Sequence, residues 1–337
     1  MAPDSERQAG GGPPRLSVDR GLLLAGKYEL VELAGTGGMA EVFRGIAHGA
    51  AGFRRTVAIK RVLEQFGQNP EFVSMFVEEA RVGSDLMHPN IVQIHDFDLD
   101  GSGRYFLVME WVEGLNLAEY KHVHQIHRRP TPWPLVTAAG IEVLKALSAA
   151  HERTDSHGRA IPVFHRDVTP SNILLGRNGI VKLTDFGLAR AMDRARMTQP
   201  HILKGKLSYV APEMVEGKDP SAASDVFSVG VVLWETLTGE KLFRGDSPVD
   251  VLRAVRAADV PPLDARRGDL PVDLPQVIHR ALSKNPADRF SSARSMARSL
   301  ANILRLTPHP TGADVIGKAV AEATRTLDGK RLHDNDV

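Results

Sequence analysis

The chain reads as an α+β protein of two lobes, a small β-rich one followed by a larger α-helical one with a crevice between them. Three observations predict this. Short alternating and β-branched segments crowd residues 27–110, helical periodicity takes over from residue 114, and 42% of the 337 residues are hydrophobic against 25% charged, a soluble globular balance. Residues 1–26 read as a disordered N-terminal segment. The folded unit spans 27–306, with lobes at 27–110 and 114–306, and 307–337 form a linker with a short C-terminal helix.

Each element has a local reason. Met1 to Pro14 is polar and rich in Gly and Pro, too poor in apolar side chains to offset ordering. Tyr28-Glu-Leu-Val-Glu-Leu33 alternates apolar and polar residues and then meets glycines, and Thr56–Val62 is short and β-branched, so both predict strands. A helix is expected from Asn69 to Leu86. Asn69 suits the N-cap, Pro70 the first turn, and Phe72, Met75, Phe76, Val82 and Leu86 form its apolar stripe. Strands resume at Ile91–Phe97 and Tyr105–Glu110. Helices then follow at Leu135–Glu152, Ser221–Thr238, Leu274–Leu282 and Ser291–Leu304, and Trp133 and Trp234 read as core. Beyond Thr307, Pro308, Pro310 and Gly312 mark a linker. The rest reads as a solvated tail, and Ile316, Val320, Ala323 and Leu327 on one face make a docking helix the sharper alternative.

Composition excludes several classes. Net charge is +1, without the basic excess of a nucleic-acid binder. No cysteine is present, which removes disulfides, thiolate catalysis and cysteine-ligated zinc. No stretch reaches the roughly 20 apolar residues of a membrane span, and the first residues lack a signal-peptide pattern. A cytoplasmic location is therefore expected. His122, His124 and His127 lie in a basic stretch and read as exposed rather than metal-bound.

The chemistry-bearing residues come in order. Gly35-Thr36-Gly37-Gly38 lies between two strand patterns, where small residues let backbone N–H groups approach phosphate. Lys60 sits inside the apolar strand Val57-Ala58-Ile59 and needs a carboxylate partner. Glu78 and Glu79 both qualify by position, and helix geometry separates them. Glu79 shares a face with Phe72, Met75 and Phe76, whereas Glu78 shares one with Glu71, Ser74, Arg81 and Asp85. Glu79 therefore points inward. His165-Arg-Asp167 and Asn172 lie on a loop between apolar segments, and Asp185-Phe-Gly187 follows. A carboxylate and an amide five residues apart suit a base and a metal ligand. Ala211-Pro-Glu213, Asp225 and Asp288-Arg289 complete the series.

In motif order, lobe order and spacing, the segment from about Lys27 to about Arg305 resembles the bacterial eukaryotic-like serine/threonine protein kinases. The resemblance implies the two-lobed protein kinase fold, ATP and Mg2+ as cofactors, and protein substrates with Ser or Thr acceptors. Lys60 would hold the α- and β-phosphates and pair with Glu79, Asp167 would orient the acceptor hydroxyl and take its proton, and Asn172 and Asp185 would bind magnesium. Met109 would be the gatekeeper, the backbones of Glu110 and Val112 would bond adenine, and Val42, Ala58 and Leu174 would sandwich it. Asp225 would anchor the catalytic loop, and Glu213 would pair with Arg289. Arg166 marks regulation through the activation segment, where Thr198 is the expected autophosphorylation site among Arg190, Arg194, Arg196 and Lys204. Self-association would serve that step.

Two departures from the family pattern keep a pseudokinase open as an alternative. Ala40 stands where a third glycine is usual, and Thr169 stands where a lysine is usual. A small-molecule phosphotransferase with the same fold is the third reading, and Ala211-Pro-Glu213 argues against it. The pattern usually written Gly-Thr-x-x-Tyr reads Gly205-Lys206-Leu-Ser-Tyr209. Lysine and threonine have traded places, so Lys206 is expected beside Asp167 or the γ-phosphate, hydrogen-bonded to Thr169.

Overall fold

The computed structural model describes residues 21–186 and 205–334 of the chain. The small lobe is built on one antiparallel sheet. Its strands are β1 (Leu23–Leu24), β2 (Tyr28–Thr36), β3 (Ala40–His48), β4 (Arg54–Val62), β5 (Ile94–Leu99) and β6 (Tyr105–Glu110), in the order β1-β2-β3-β4-β6-β5. Period-two alternation gives the sheet two apolar faces. Tyr28, Phe43, Val57, Ile59, Phe106 and Val108 fill one. Ala58, Val62, Leu107 and Met109 fill the other, against Phe76 and Ala80 of helix α1 (Pro70–Ser84). Lys60 lies on this second face by the same alternation. Helix α1 starts as expected, with the Asn69 side chain accepting from the Glu71 N–H at 3.0 Å and Pro70 in the first turn. The side chain of Met75 lies outside the described set.

The N-terminal reading needs a correction. Residues 21–26 are folded: Leu23 and Leu24 pair with Glu29 and Tyr28, and Leu24 is buried in the sheet core. Gly21 and Gly26 take positive φ at the ends of this short strand, and turns of that kind look like disorder in a bare sequence.

The large lobe begins with β7 (Gly114–Asn116) and α2 (Leu117–Ile126), the latter closed by an Asn116–Glu119 capping box. Helix α3 (Trp133–His151) and helix α5 (Ala222–Thr238) form its centre, with α4 (Pro212–Val215) just before α5. Helices α6 (Pro248–Ala257), α7 (Asp273–Ala281) and α8 (Ala293–Arg305) surround them. Trp133 and Trp234 are both buried. Strands β8 (Ile173–Gly176) and β9 (Val181–Leu183) join β7 in a second, three-stranded sheet. That sheet carries the end of the inter-lobe connection on β7 and the catalytic-loop exit on β8.

The solvated-tail reading of the C-terminus is overturned. Residues Ala313–Asp334 form one long helix, α9, laid against α2, β7 and β8. Ile316, Val320 and Ala323 are buried in the large-lobe core, with Leu327 packed at its edge. Two glycines permit the approach. A Cβ on Gly179 would stand 1.8 Å from the Ala313 carbonyl oxygen, and one on Gly317 would stand 2.4 Å from that of Arg177. Backbone meets backbone there, so no side chain fits.

Candidate active site

The site grows from the facing surfaces of the two lobes. On the small-lobe side, Lys60 Nζ donates to Glu79 Oε1 at 2.8 Å and to Asp185 Oδ1 at 3.0 Å. Burial acts to lower the Lys60 pKa, but the charges of Asp185 and Glu79 more than offset it and hold the amine above its ordinary value. Burial raises the Glu79 carboxyl, to about 7, with Lys60 opposing and Asp185 reinforcing the shift. Burial would raise Asp185 too, but Lys60 dominates and the carboxyl lies below its ordinary value. Among the described residues, Glu79 Oε2 has no hydrogen-bond partner. Glu78 instead faces outward and meets Arg81 at 3.8 Å.

The large lobe supplies the catalytic loop. Asp225, at the start of α5, accepts from the backbone N–H groups of His165 and Arg166 and from His151 Nε2, each at 2.8 Å. Burial would raise this carboxyl, but His151 and these bonds hold it below its ordinary value. The anchoring fixes an unusual backbone. Arg166 has φ +66° and Asp185 has φ +65°, the left-handed region that non-glycine residues rarely occupy. His165 Nε2 donates to the Thr184 carbonyl at 2.9 Å, which fixes the tautomer and leaves Nδ1 to accept from the Asp167 N–H at 3.3 Å. The segments bearing Asp167 and Asp185 are thereby tied together.

Asp167 is 4% exposed. Asn172 Nδ2 donates to its backbone oxygen at 2.8 Å and to Oδ2 at 3.1 Å. Lys206 Nζ donates to the same Oδ2 at 2.5 Å. Thr169 is buried, and among the described residues no hydrogen bond joins it to Lys206, so that part of the expectation is corrected. The Thr169 backbone carbonyl is instead taken by the Asn172 N–H at 3.1 Å, which begins the short turn after the loop.

Val42, Ala58, Met109, Val112 and Leu174 belong to one apolar cluster that spans both lobes. Such a cluster forms two walls, one from β3 and β4 and one from β8. Met109 pairs across from Ala58 at the back of the cleft. Glu110 is held at both ends: its N–H donates to the Gln93 carbonyl and its carboxylate meets Lys182 Nζ at 2.7 Å. The glycine-rich turn closes with Gly37 N–H donating to the Ala40 carbonyl at 2.8 Å. Ala40 itself begins β3 and is buried, so a side chain is accommodated where glycine was expected. Gly35 and Thr36 end β2, and Gly38 lies in the turn.

Asn172 and Asp185 offer a carboxamide and a carboxylate oxygen, hard donors that suit magnesium. The Asn172 carbonyl accepts from the Thr184 N–H at 3.0 Å, which ties the turn that ends at Asn172 to the segment just before Asp185. Among the described residues no group of three or more His, Asp or Glu could hold a metal by itself. Two oxygen donors leave the remaining positions to water and phosphate, the usual arrangement for magnesium at a nucleotide.

Below the site, Arg289 forms a bidentate pair with Glu213, both bonds 2.7 Å, and is wholly buried. Its guanidinium also donates to the carbonyls of Ser283, Ala223 and Lys284, so every face of a buried charge is used. Tyr209 donates to Glu235 at 2.7 Å, and Ser228 Oγ donates to the Tyr209 carbonyl at 2.7 Å. The Glu213–Arg289 pair follows the motif order. His151, Lys182 and the Tyr209–Glu235 bond had no such signal: each is an ordinary residue type on a regular element whose partner lies far along the chain. Thr198, Arg190, Arg194, Arg196, Lys204 and Gly187 lie outside the described residues.

A two-lobed α+β fold with a buried Lys–Glu pair, a carboxylate on an anchored loop and a second carboxylate bonded to the same lysine defines a protein kinase, and the chain belongs to that family. Residues 28–301 match the protein kinase domain family. The chain is 37% identical over 292 residues to the tyrosine-protein kinase MasK of Myxococcus xanthus, covering 87% of this chain and 45% of MasK. It is 36% identical over 311 residues to the serine/threonine-protein kinase PknA of Mycobacterium tuberculosis, covering 90% of this chain and 68% of PknA. The crystal structure of the Mycobacterium tuberculosis PknI kinase domain superposes with a TM-score of 0.63 at 28% identity, covering 85% of this chain and 99% of that one. The chain thus spans about half the length of MasK and two thirds of PknA. No helix among the described residues is long and apolar enough to cross a membrane.

Proposed function

We propose that the chain transfers the γ-phosphoryl group of Mg-ATP to serine or threonine hydroxyls of proteins. The observation that carries this reading is the convergence of Lys60 and Glu79 of the small lobe with Asp185, Asp167 and Asn172 of the large lobe. Val42 and Ala58 would cover one face of adenine and Leu174 the other, with Met109 limiting the depth of the pocket. The backbones of Glu110 and Val112 would read the base edge. The turn Gly35-Thr36-Gly37-Gly38 would close over the phosphates, and Lys60 would hold the α- and β-phosphates. Magnesium, when bound, would neutralise phosphate charge, held by Asn172 and Asp185. Asp167 would aim the acceptor hydroxyl and accept its proton.

Self-association and autophosphorylation at Thr198 belong to the same proposal. Arg190, Arg194, Arg196 and Lys204 supply cations for an added phosphate. Use of ATP fits a cytoplasmic site of action. The resemblance to MasK supports a second reading, in which tyrosine is the acceptor.

The test is incubation with labelled ATP and a generic protein, followed by phosphoamino-acid analysis and mass spectrometry. Phosphoserine or phosphothreonine, with Thr198 modified, is expected; phosphotyrosine alone selects the second reading. Asp185→Ala should abolish transfer, and Asp167→Asn should lower turnover far more than nucleotide affinity. Near-normal turnover in Asp185→Ala would overturn the assignment.

A further inference from the structure

Phosphoryl transfer concentrates negative charge on the migrating group, and a cation near it in the transition state accelerates the reaction. Lys60 is committed to Glu79 and Asp185 at 2.8 and 3.0 Å. The catalytic loop carries Thr169, an uncharged residue, two positions after Asp167. A second cation nevertheless reaches the reaction centre: Lys206, from the helical turn at residues 205–207, puts Nζ 2.5 Å from Asp167 Oδ2.

We propose that Lys206 is a catalytic residue that contacts the γ-phosphoryl group during transfer and holds Asp167 in register before it. This rests on the kinase reading above. Three features carry it. Asp167 is buried, whereas the Lys206 side chain that reaches it is 33% exposed, so the carboxylate is met by a cation that keeps access to solvent. Its charge also acts on Asp185 and Glu79, which places it in the same field as Lys60. Finally, its backbone is fixed. The Lys206 carbonyl accepts from the Tyr209 N–H, Tyr209 is bonded to Glu235 and Ser228, and Glu213 is locked to Arg289. A charge held this way needs little reorganisation when the reaction occurs.

The step balances simply. The acceptor oxygen forms a bond to the γ-phosphorus while the bond from that phosphorus to the β,γ-bridging oxygen breaks. The bonding pair leaves with ADP, and the hydroxyl proton passes to Asp167. Lys206 shifts from Asp167 toward the γ-phosphoryl oxygens as their charge grows and as the Asp167 charge is neutralised. The cation therefore arrives on the segment that precedes Ala211-Pro-Glu213, so the position of Lys206 on that segment bears directly on the chemistry.

The experiment compares wild type, Lys206→Ala and the exchange variant Thr169→Lys/Lys206→Thr. Turnover and ATP affinity are measured together with binding of ADP and of ADP–tetrafluoroaluminate in magnesium. Lys206→Ala should lower kcat about 10- to 1,000-fold, with ATP affinity changed much less. It should also lose most of the extra affinity for the tetrafluoroaluminate complex over ADP alone. The exchange variant should recover much of both. A Lys206→Ala enzyme with wild-type kcat, or with an undiminished preference for tetrafluoroaluminate, overturns the proposal. Absence of phosphate transfer by the wild type to any protein counts against the kinase reading instead, and the tetrafluoroaluminate comparison then still judges Lys206. A folding defect in Lys206→Ala would lower affinity for ADP and its complex alike and would not be reversed by the exchange variant, which also overturns the catalytic role.

Discussion

Asp225 offers the sharpest test of how the fold holds the site, because it touches no substrate. Its carboxylate accepts from two buried backbone N–H groups and one histidine, each at 2.8 Å. Asp225→Ala strands both amides, and an unsatisfied buried donor costs about 1–3 kcal/mol. The two together predict a loss of about 2–6 kcal/mol, a large share of the roughly 5–15 kcal/mol that stabilises a typical domain. The effect on catalysis should be larger than stability alone implies, because Arg166 is held at φ +66° by one of these bonds and relaxes without it. Asn at this position keeps one accepting oxygen and presents an N–H to a donor, so it should fall between. Urea unfolding gives the stability change, and turnover below the unfolding range gives the catalytic one. The acid dependence has a defined sign. The folded-state pKa lies below 3.8, so the carboxylate's contribution is complete above that value and is lost as pH falls through the folded pKa. The stability gap between wild type and Asp225→Asn should therefore close in acid. A loss under about 1 kcal/mol with turnover intact would refute the anchoring argument.

Two further tests follow from the structure. Glu79, with its carboxyl raised from 4.5 to about 7, binds its proton more tightly in the folded state, so its contribution to stability is full below pH 4.5 and declines as pH rises through about 7; Glu79→Gln should flatten that slope in thermal unfolding curves measured across this range, and an unchanged slope would count against the assignment. Gly317→Ala gains about 1 kcal/mol of helix propensity but drives a Cβ into the Arg177 carbonyl, so α9 should lift and its amides should exchange with solvent faster, whereas unchanged protection would mean that the close approach is not required.

Much of this architecture is legible in the residues themselves, and the reasons differ by place. The inward turn of Glu79 follows from spacing alone, since residues three, four and seven apart share a helix face. Lys206 was legible as a departure from a pattern, and its contact with Asp167 matches that reading, although the bond expected with Thr169 is absent among the described residues. The C-terminal helix was misread because an apolar stripe does not say what covers it. Its receiving surface is assembled from α2, β7 and β8, all far from the helix in sequence. Gly179 and Gly317 looked like punctuation, and their function as contact points exists only in three dimensions. Likewise, His151 ends a helix in a manner that suggests nothing, until the fold brings Asp225 beside it.

Helix α9 rests on the three-stranded sheet from outside the cleft, while Leu174 of that sheet lines the nucleotide cleft from inside. Two events therefore act on one set of strands. Thermodynamic reciprocity then sets a strict condition: whatever factor the seated helix adds to nucleotide affinity, bound nucleotide must add to the seating of the helix. For a protein that grasps α9, the factor by which it alters ATP affinity from outside the cleft equals the factor by which cleft occupancy alters its hold on the helix.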